Sequence, residues 1–194
     1  MKFIRKLYYQ AYSFYLVKKH ANYKREKYED RNVLERIIFP YVLGEFNPKR
    51  VLDIGREDYQ WFYNFFFVGR ELWTLDRKTR RKEFGAEHHI VDDVANLKAH
   101  FEDNFFDFVI MNGVFGWGLN DPMQIEQTFD AIFKIMSPGG IFVLGYNDIP
   151  DLTPVPIAKI KALKQLNEYV LPPLKSSAFT CVNGDHTYRF YIKK

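Results

Sequence analysis

Several features that would set a chain apart from ordinary globular proteins are missing from this sequence. Only one of its 194 residues, Cys181, is a cysteine, which excludes an internal disulfide and a cysteine-rich zinc site. No apolar stretch approaches the roughly 20 uninterrupted residues that a bilayer-spanning helix needs. The first residues are basic, but no small-residue cleavage site follows them, so they do not resemble an export signal. We therefore expect a soluble, cytoplasmic protein.

The composition supplies the core of one domain and an uneven charge. Hydrophobic residues make up 47% of the chain and aromatic residues 18%. Residues 1–31 hold nine basic and three acidic side chains, a charge of +6. The other 163 residues hold 19 basic and 21 acidic side chains, a charge of −2. Basicity is thus confined to the N-terminal segment. The nearly neutral body has no basic stripe, which argues against nucleic acid as a partner.

Apolar residues of the N-terminal segment recur at three- and four-residue steps, which predicts an amphipathic helix. The residues of its apolar face would be Ile4, Leu7, Tyr8, Ala11, Phe14 and Tyr15. Three kinds of partner fit this face: the rest of the domain or a second subunit in a homodimer, an anionic membrane surface reached through residues 1–28, and a phosphate-bearing substrate. The pattern alone leaves all three open.

From residue 50 onward, short β-rich runs alternate with segments of helical period, a pattern typical of a parallel sheet covered by helices. Five strands are predicted, at Arg50 to Ile54, Glu71 to Asp76, His88 to Val91, Phe106 to Met111 and Gly140 to Tyr146. Helices are predicted at Asp58 to Val68, Asp121 to Met136 and Ile157 to Val170. The runs Ser177 to Val182 and His186 to Ile192, separated by Asn183-Gly184-Asp185, predict an antiparallel hairpin.

Five segments, in this order, resemble the class I S-adenosylmethionine-dependent methyltransferase family over roughly residues 32–194. They are Val51-Leu52-Asp53-Ile54-Gly55, Leu72-Trp73-Thr74-Leu75-Asp76, the stretch from Ile90 to Leu97, the stretch from Phe106 to Gly113, and the stretch from Pro138 to Leu144. The resemblance implies a doubly wound, mostly parallel α/β sheet of seven strands in the order 3-2-1-4-5-7-6, with the last strand antiparallel and helices on both faces. Residues 1–45 would form a helical extension or lid, and residues 46–194 the methyltransferase-like domain.

The resemblance also implies S-adenosylmethionine as cofactor, with contacts from Asp53, Gly55, Glu57, Asp76, Asp92, Asp93 and Asn112. A physical argument supports Asp76, because an acidic side chain at a strand end about 20 residues after a glycine turn can accept both ribose hydroxyls, and Gly55 precedes Asp76 by 21 residues. Asp93 could accept the adenine amino group, and Phe115 or Trp117 could stack on the purine. Asp76 and Asp93 could equally cap the helices that follow them.

The glycine-rich motif departs from the family pattern after Gly55. Glu57 and Tyr59 occupy the positions where the family has further glycines. Glu57 could pair with the positively charged groups of the cofactor or obstruct its binding, and Arg56 could bind the cofactor carboxylate or neutralise Glu57. Two functions therefore compete: methyl transfer to a small-molecule or glycan acceptor, with a hydroxyl favoured, and a catalytically inactive methyltransferase-like module for binding or scaffolding.

Residues at the predicted strand ends are candidates for a general base. Asp148 is the first choice because it follows the fifth strand; Tyr146 precedes it, and His186 has the more suitable ordinary pKa. His88 and His89 are adjacent on a strand and point to opposite faces, so they do not converge on one metal ion. Asn112, Asn147 and Asp148 together offer only one carboxylate, which argues against a magnesium site. We therefore expect no metal.

Overall fold

A computed structural model describes residues 2–21, 28–182 and 184–194. Within these ranges, eight strands form one sheet in the order β3-β2-β1-β4-β5-β8-β6, with β7 also paired to β8. The bounds are β1 Arg50–Ile54, β2 Glu71–Asp76, β3 His88–Val91, β4 Phe106–Asn112, β5 Met136–Asn147, β6 Asn167–Glu168, β7 Ala178–Thr180 and β8 His186–Ile192. The first five strands are parallel, and β8 runs antiparallel to β5.

The predicted sheet is confirmed with one addition. The hairpin strands take the predicted order, because β8 pairs with β5 on one side and with β7 on the other. The two-residue strand β6 was not predicted; it pairs with the end of β8, so the sheet has eight strands rather than seven. In the predicted hairpin turn, Asn183 lies outside the described residues.

Helices cover both faces of the sheet, as predicted. Their bounds are α1 Lys2–His20, α2 Glu29–Val33, α3 Phe39–Glu45, α4 Tyr63–Phe66, α5 Leu97–His100 and α6 Pro122–Ile135, with one wider π-helical turn, Leu34–Ile38, between α2 and α3. One core packs α5 and α6 against Leu52, Val109 and Phe142 of the sheet. The other packs α1, α3 and α4 against Val51, Phe108 and Val143, so alternate strand residues supply the two cores.

Two predicted helices are wrong in extent. The segment Asp58 to Val68 forms a 3-10 turn, Asp58–Gln60, and the single turn α4. The segment Ile157 to Val170 forms the 3-10 turns Ile157–Lys159 and Ala162–Gln165 and then β6. Here the backbone N–H groups of Lys161 and Ala162 donate to the carboxylate of Glu126 on α6, at 2.8 Å each. That carboxylate replaces the carbonyl partners that a continuous helix would need.

Helix α1 is present, but its apolar face does not pack on the domain, so that interpretation of the face is wrong. The side chains buried against the domain are Ser13, Leu16 and Val17 on the opposite face. The Ser13 hydroxyl donates to the carbonyl of Glu35, and the Arg5 Nε donates to the carbonyl of Gly44 at 2.7 Å. Gly44 permits this close approach, since a Cβ there would lie 2.7 Å from Lys6 Cγ.

Among the described residues, no helix combines the length and the apolar character that crossing a membrane requires.

Candidate functional site

A cavity of about 570 Å³ opens at the carboxyl ends of the parallel strands. The ends of β1, β2 and β4 and the residue that closes β5 all contribute to its wall: Ile54, Asp76, Asn112 and Asn147. Ligands of open α/β sheets bind at this edge, where the order of strands reverses between β1 and β4. The topology therefore brings together side chains that lie as far apart in the chain as α2 and β8.

The turn after β1 depends on a left-handed backbone at Gly55. Its φ is +88°, and its N–H donates to the carbonyl of Leu75 at 2.8 Å, which joins the turn to β2. A Cβ at Gly55 would lie 2.6 Å from Cγ2 of Val114. Both the conformation and the space therefore require glycine at this position.

Arg56 and Asp53 form a buried ion pair that supports this turn from inside. Arg56 Nη2 lies 3.1 Å from Asp53 Oδ2, and neither side chain is appreciably exposed. The guanidinium also donates to the carbonyl of Gln60 at 2.7 Å and to Asn64 Oδ1 at 3.1 Å. Burial raises the pKa of Asp53, and the Arg56 guanidinium opposes that shift. From the sequence, Arg56 was a candidate to neutralise Glu57 or to bind the cofactor carboxylate. Its buried guanidinium does neither, because its charge is directed to Asp53.

Glu57 and Tyr59, which replace the motif glycines, are both engaged within the protein. Glu57 forms an ion pair with Arg81 and a reciprocal capping arrangement with Gln60. The guanidinium of Arg31 from α2 lies 3.6 Å from the ring centre of Tyr59, and burial raises the pKa of the phenol to about 12. The backbone at Glu57 has φ −113°, so it does not need glycine. Both residues line the cavity without closing it.

Asp76 is held in place by two backbone groups at the end of β2. Its Oδ2 accepts from the N–H of Arg56 at 2.9 Å, and its Oδ1 accepts from the N–H of Lys78 at 2.8 Å. An ionised carboxylate has about four lone-pair positions, so each oxygen keeps capacity for a further donor. Asp76 also lines the cavity. The carboxylate is therefore fixed in position and still able to accept hydrogen bonds there.

Asp92 and Asp93 differ in their position relative to the cavity. Asp93 lines it, and its Oδ1 accepts from the N–H of Ala95 at 2.9 Å, so the predicted capping and a place at the site coexist. Asp92 lies outside the lining and bonds instead to His100 at 2.6 Å and Asn96 at 2.8 Å. These hydrogen bonds, with that to His100 the largest cause, lower the pKa of Asp92.

Asn112 and His186 meet in the wall of the cavity. His186 Nε2 lies 2.9 Å from Asn112 Oδ1, and both residues line the cavity. Burial lowers the pKa of His186, while the charge of Asp30 raises it. A Cβ at Gly145, which lies beside both, would come within 2.1 Å of Asn112 Oδ1 and 2.9 Å of His186 Nε2. The sequence offered no sign that Gly145 makes room for this pair.

The other two candidate bases do not line the cavity. The Tyr146 hydroxyl donates to Asp148 Oδ2 at 3.2 Å and accepts from Arg189 Nε at 3.4 Å. Burial is the main cause of the raised pKa of Tyr146. Of the three, only His186 reaches the cavity. Within the described ranges, no three His, Cys, Asp or Glu side chains are grouped so that they could hold a metal ion.

Two exposed residues stand at the mouth of the cavity, and one of them, Arg77, was not assigned to the site from sequence. Trp117, a candidate for stacking on the purine, is 59% exposed, lines the cavity and donates from Nε1 to Asn147 Oδ1 at 2.9 Å. Arg77 lies against the next residue, since a Cβ at Gly118 would be 3.2 Å from its guanidinium carbon. Phe115, the other candidate for stacking, is buried in the core against Phe129 and is not part of the wall.

The comparison with family models agrees with this geometry. Residues 63–144 match the model of a family described as a methyltransferase domain. This part of the chain is therefore similar to methyltransferase domains. This confirms the resemblance inferred from the five sequence segments. No curated protein matches the chain.

Solved structures of methyltransferases share the fold at low sequence identity. The N-methyltransferase NodS from Bradyrhizobium japonicum WM9 superposes with a TM-score of 0.64 at 17% identity, covering 88% of this chain and 99% of NodS. A complex of NodS with S-adenosyl-l-homocysteine superposes with a TM-score of 0.64 at 16% identity, covering 93% of this chain and 98% of NodS. A SAM-dependent methyltransferase from Archaeoglobus fulgidus superposes with a TM-score of 0.59 at 17% identity, covering 93% of this chain and 99% of that protein.

We predict that Arg56→Met is strongly destabilising and that the loss depends on pH. Removing one partner of a buried ion pair typically costs about 3–5 kcal/mol, because the other charge is left buried. Burial then raises the pKa of Asp53 without opposition, so the folded state retains its proton and the variant loses stability as pH rises through that pKa. Urea unfolding of wild type and variant at pH 5 and pH 8 measures both effects.

The matched control is Arg50→Met, which removes an exposed arginine whose Nε lies 3.9 Å from Glu71 Oε2. Exposed pairs of this kind contribute about 0–1 kcal/mol, so we expect a small loss that changes little with pH. Equal losses in the two variants would show that the buried pair does not support the turn.

Proposed function

We propose that this protein transfers a methyl group from S-adenosylmethionine to a small-molecule acceptor bound in the cavity. The observation that carries the proposal is Asp76, whose carboxylate is fixed by two backbone N–H groups beside the left-handed turn at Gly55. The family match and the methyltransferase fold support the same function. The structure of NodS with S-adenosyl-l-homocysteine shows that this fold holds such a ligand in a relative.

The residues present fit the cofactor. Asp76 would accept the ribose hydroxyls, Asp93 the adenine amino group, and the turn at Gly55 would allow the backbone to approach the methionine end. The departure at Glu57 is compatible with binding, because its carboxylate is paired with Arg81. Of the other residues predicted to bind the cofactor, Asp53 would act through Arg56, and Asp92 would act only by orienting the segment before Asp93.

The acceptor would lie beside Asn112 and His186 in the cavity. With Asn112 Oδ1 as acceptor, His186 carries its proton on Nε2 and keeps a lone pair on Nδ1. Because burial lowers its pKa, the imidazole is neutral at pH 7 and can take a proton. A hydroxyl acceptor must lose a proton during methylation, so we propose O-methylation of a small molecule or glycan, with His186 as the base and Asn112 as its positioning residue.

The bound cofactor supplies a methyl group already activated by its sulfonium. The chain's own contribution is to align the acceptor with that group and to limit the access of water. Trp117 and Arg77 stand at the mouth of the cavity, where they can cover a bound ligand. Asp148 and Tyr146 would act indirectly, by fixing the segment after β5 through their mutual hydrogen bond.

The cofactor assignment predicts that Asp76→Asn weakens binding of S-adenosyl-l-homocysteine at least tenfold. The variant keeps the shape of the side chain but replaces one acceptor oxygen by a donor, so the ribose hydroxyls lose a charge-assisted partner. Isothermal titration calorimetry of the full chain measures the affinity. Asp103→Asn is the matched control, because this exposed carboxylate lies outside the cavity wall and pairs with Lys98, and we expect the affinity of this variant to equal that of wild type.

Binding by wild type that Asp76→Asn leaves unchanged would reject the ribose assignment. The absence of heat and of thermal stabilisation at millimolar cofactor would instead favour the inactive binding module suggested by the altered glycine motif.

The base assignment predicts an imidazole pKa for His186 below its ordinary value of 6.5. Because the Asp30 charge favours the protonated ring, Asp30→Asn should lower the pKa further. A histidine NMR titration measures both, with His186→Gln to assign the signal. Methyl transfer to a hydroxyl should accordingly persist as pH falls to 6.5 and decline only below it. Methyl transfer that continues unchanged well below the measured pKa of His186 would contradict the assignment.

A further inference from the structure

Helix α1 turns an apolar face to solvent. Its exposed large hydrophobic residues are between 50% and 73% exposed: Phe3, Ile4, Leu7, Tyr8, Phe14 and Tyr15. Ala11 lies on the same face and is exposed as well. Single exposed apolar residues are normal on a protein surface, but a continuous stripe along a helix marks an interaction surface. We call this stripe the α1 outer face.

The outer face cannot turn inward, because the other side of α1 is fixed to the domain. Its first turn is held by Lys2, which donates to Glu45 at 2.8 Å, and by Arg5, which donates to the carbonyl of Gly44. Lys6 pairs with Glu45 too, and both lysines lower the pKa of that carboxyl. Toward the other end, the Tyr12 hydroxyl donates to the carbonyl of Phe65 at 3.1 Å.

The charged side chains described beside the outer face are all basic. Helix α1 contains no acidic residue. Lys18 follows Ile4 and Ala11 at seven-residue steps, so it lies on the same stripe, and Lys19 beside it donates to the Tyr15 hydroxyl at 3.0 Å. Neither lysine forms an ion pair with an acidic side chain in the described ranges. The guanidinium carbon of Arg36 lies 4.7 Å from the ring centre of Phe14.

A separate, partly exposed aromatic surface lies at the C-terminal end of α1. The His20 ring lies 5.2 Å from that of Trp61 and 5.0 Å from that of Phe65. These two rings are 42% and 36% exposed. Trp61 follows directly after Tyr59 and Gln60, which line the cavity. The aromatic surface therefore reaches the segment that forms one wall of the site.

We propose that the α1 outer face adsorbs to an anionic phospholipid surface. The apolar and aromatic side chains would enter the boundary between headgroups and acyl chains, while Lys18 and Lys19 extend toward lipid phosphates. Anionic lipid complements a face whose flanking charges, among the residues that the structure describes, are positive. A symmetric dimer through the same face would instead bring these lysines and arginines toward their own copies, without an acidic residue of α1 to compensate.

The test is co-sedimentation of the full-length protein with vesicles of phosphatidylcholine alone or containing about a third phosphatidylglycerol. We expect binding to the anionic vesicles that weakens as salt rises, since ionic strength screens the lysines. The double variant Ile4→Glu/Leu7→Glu should reduce the bound fraction at least tenfold. The charge-matched control Met123→Glu/Val170→Glu alters exposed apolar residues elsewhere and should bind like wild type.

A second variant tests the same proposal without changing the apolar residues of the helix. Lys18→Gln/Lys19→Gln changes only exposed side chains, so it should keep the wild-type circular dichroism and melting temperature yet lose most binding to anionic vesicles. Lys159→Gln/Lys164→Gln is its control. Failure of wild type to bind anionic vesicles would overturn the proposal, as would binding that both α1 variants retain. Dimers in light scattering that Ile4→Glu/Leu7→Glu dissociates, without vesicle binding, would assign the face to a second copy.

Discussion

The buried ion pair between Arg56 and Asp53 is the constraint on which the candidate site depends. It lets one arginine hold the end of β1, the carbonyl of Gln60 and the side chain of Asn64 at once. The backbone of the same arginine donates to Asp76. One residue thus fixes both the turn and the carboxylate across from it. A guanidinium suits this position because it stays charged when buried and offers several donors in a fixed plane.

This arrangement explains how the turn can do without its further glycines. In the family pattern, glycine provides positive φ and close approach of the backbone. Here only Gly55 needs that conformation, and Glu57 and Tyr59 are directed into contacts with Arg81 and Arg31. Flexibility of the backbone is replaced by side-chain interactions. The altered motif therefore does not by itself indicate that the site is lost.

The sequence predicted the sheet better than the helices and the site. The bounds of β1, β2, β3 and β8 match the predicted runs, because short β-rich runs between turns have few other possible structures. The helix predicted from Ile157 failed because a carboxylate of α6 takes the backbone donors, a contact between distant residues that no local pattern contains. The same holds for Gly145, whose importance comes from the side chains of two neighbouring strands. For α1, periodicity identified the apolar face but not the side on which the helix packs.

The cavity wall combines residues from α2, in the first part of the chain, with residues of β8, in the last. Any opening that separates β8 from β5 would remove His186 from the wall and dismantle the site. A ligand that binds only the complete wall must therefore oppose such openings throughout the sheet, and not merely near its own contacts. As occupancy of the site rises, hydrogen exchange would then become slower even in strands that do not touch the ligand.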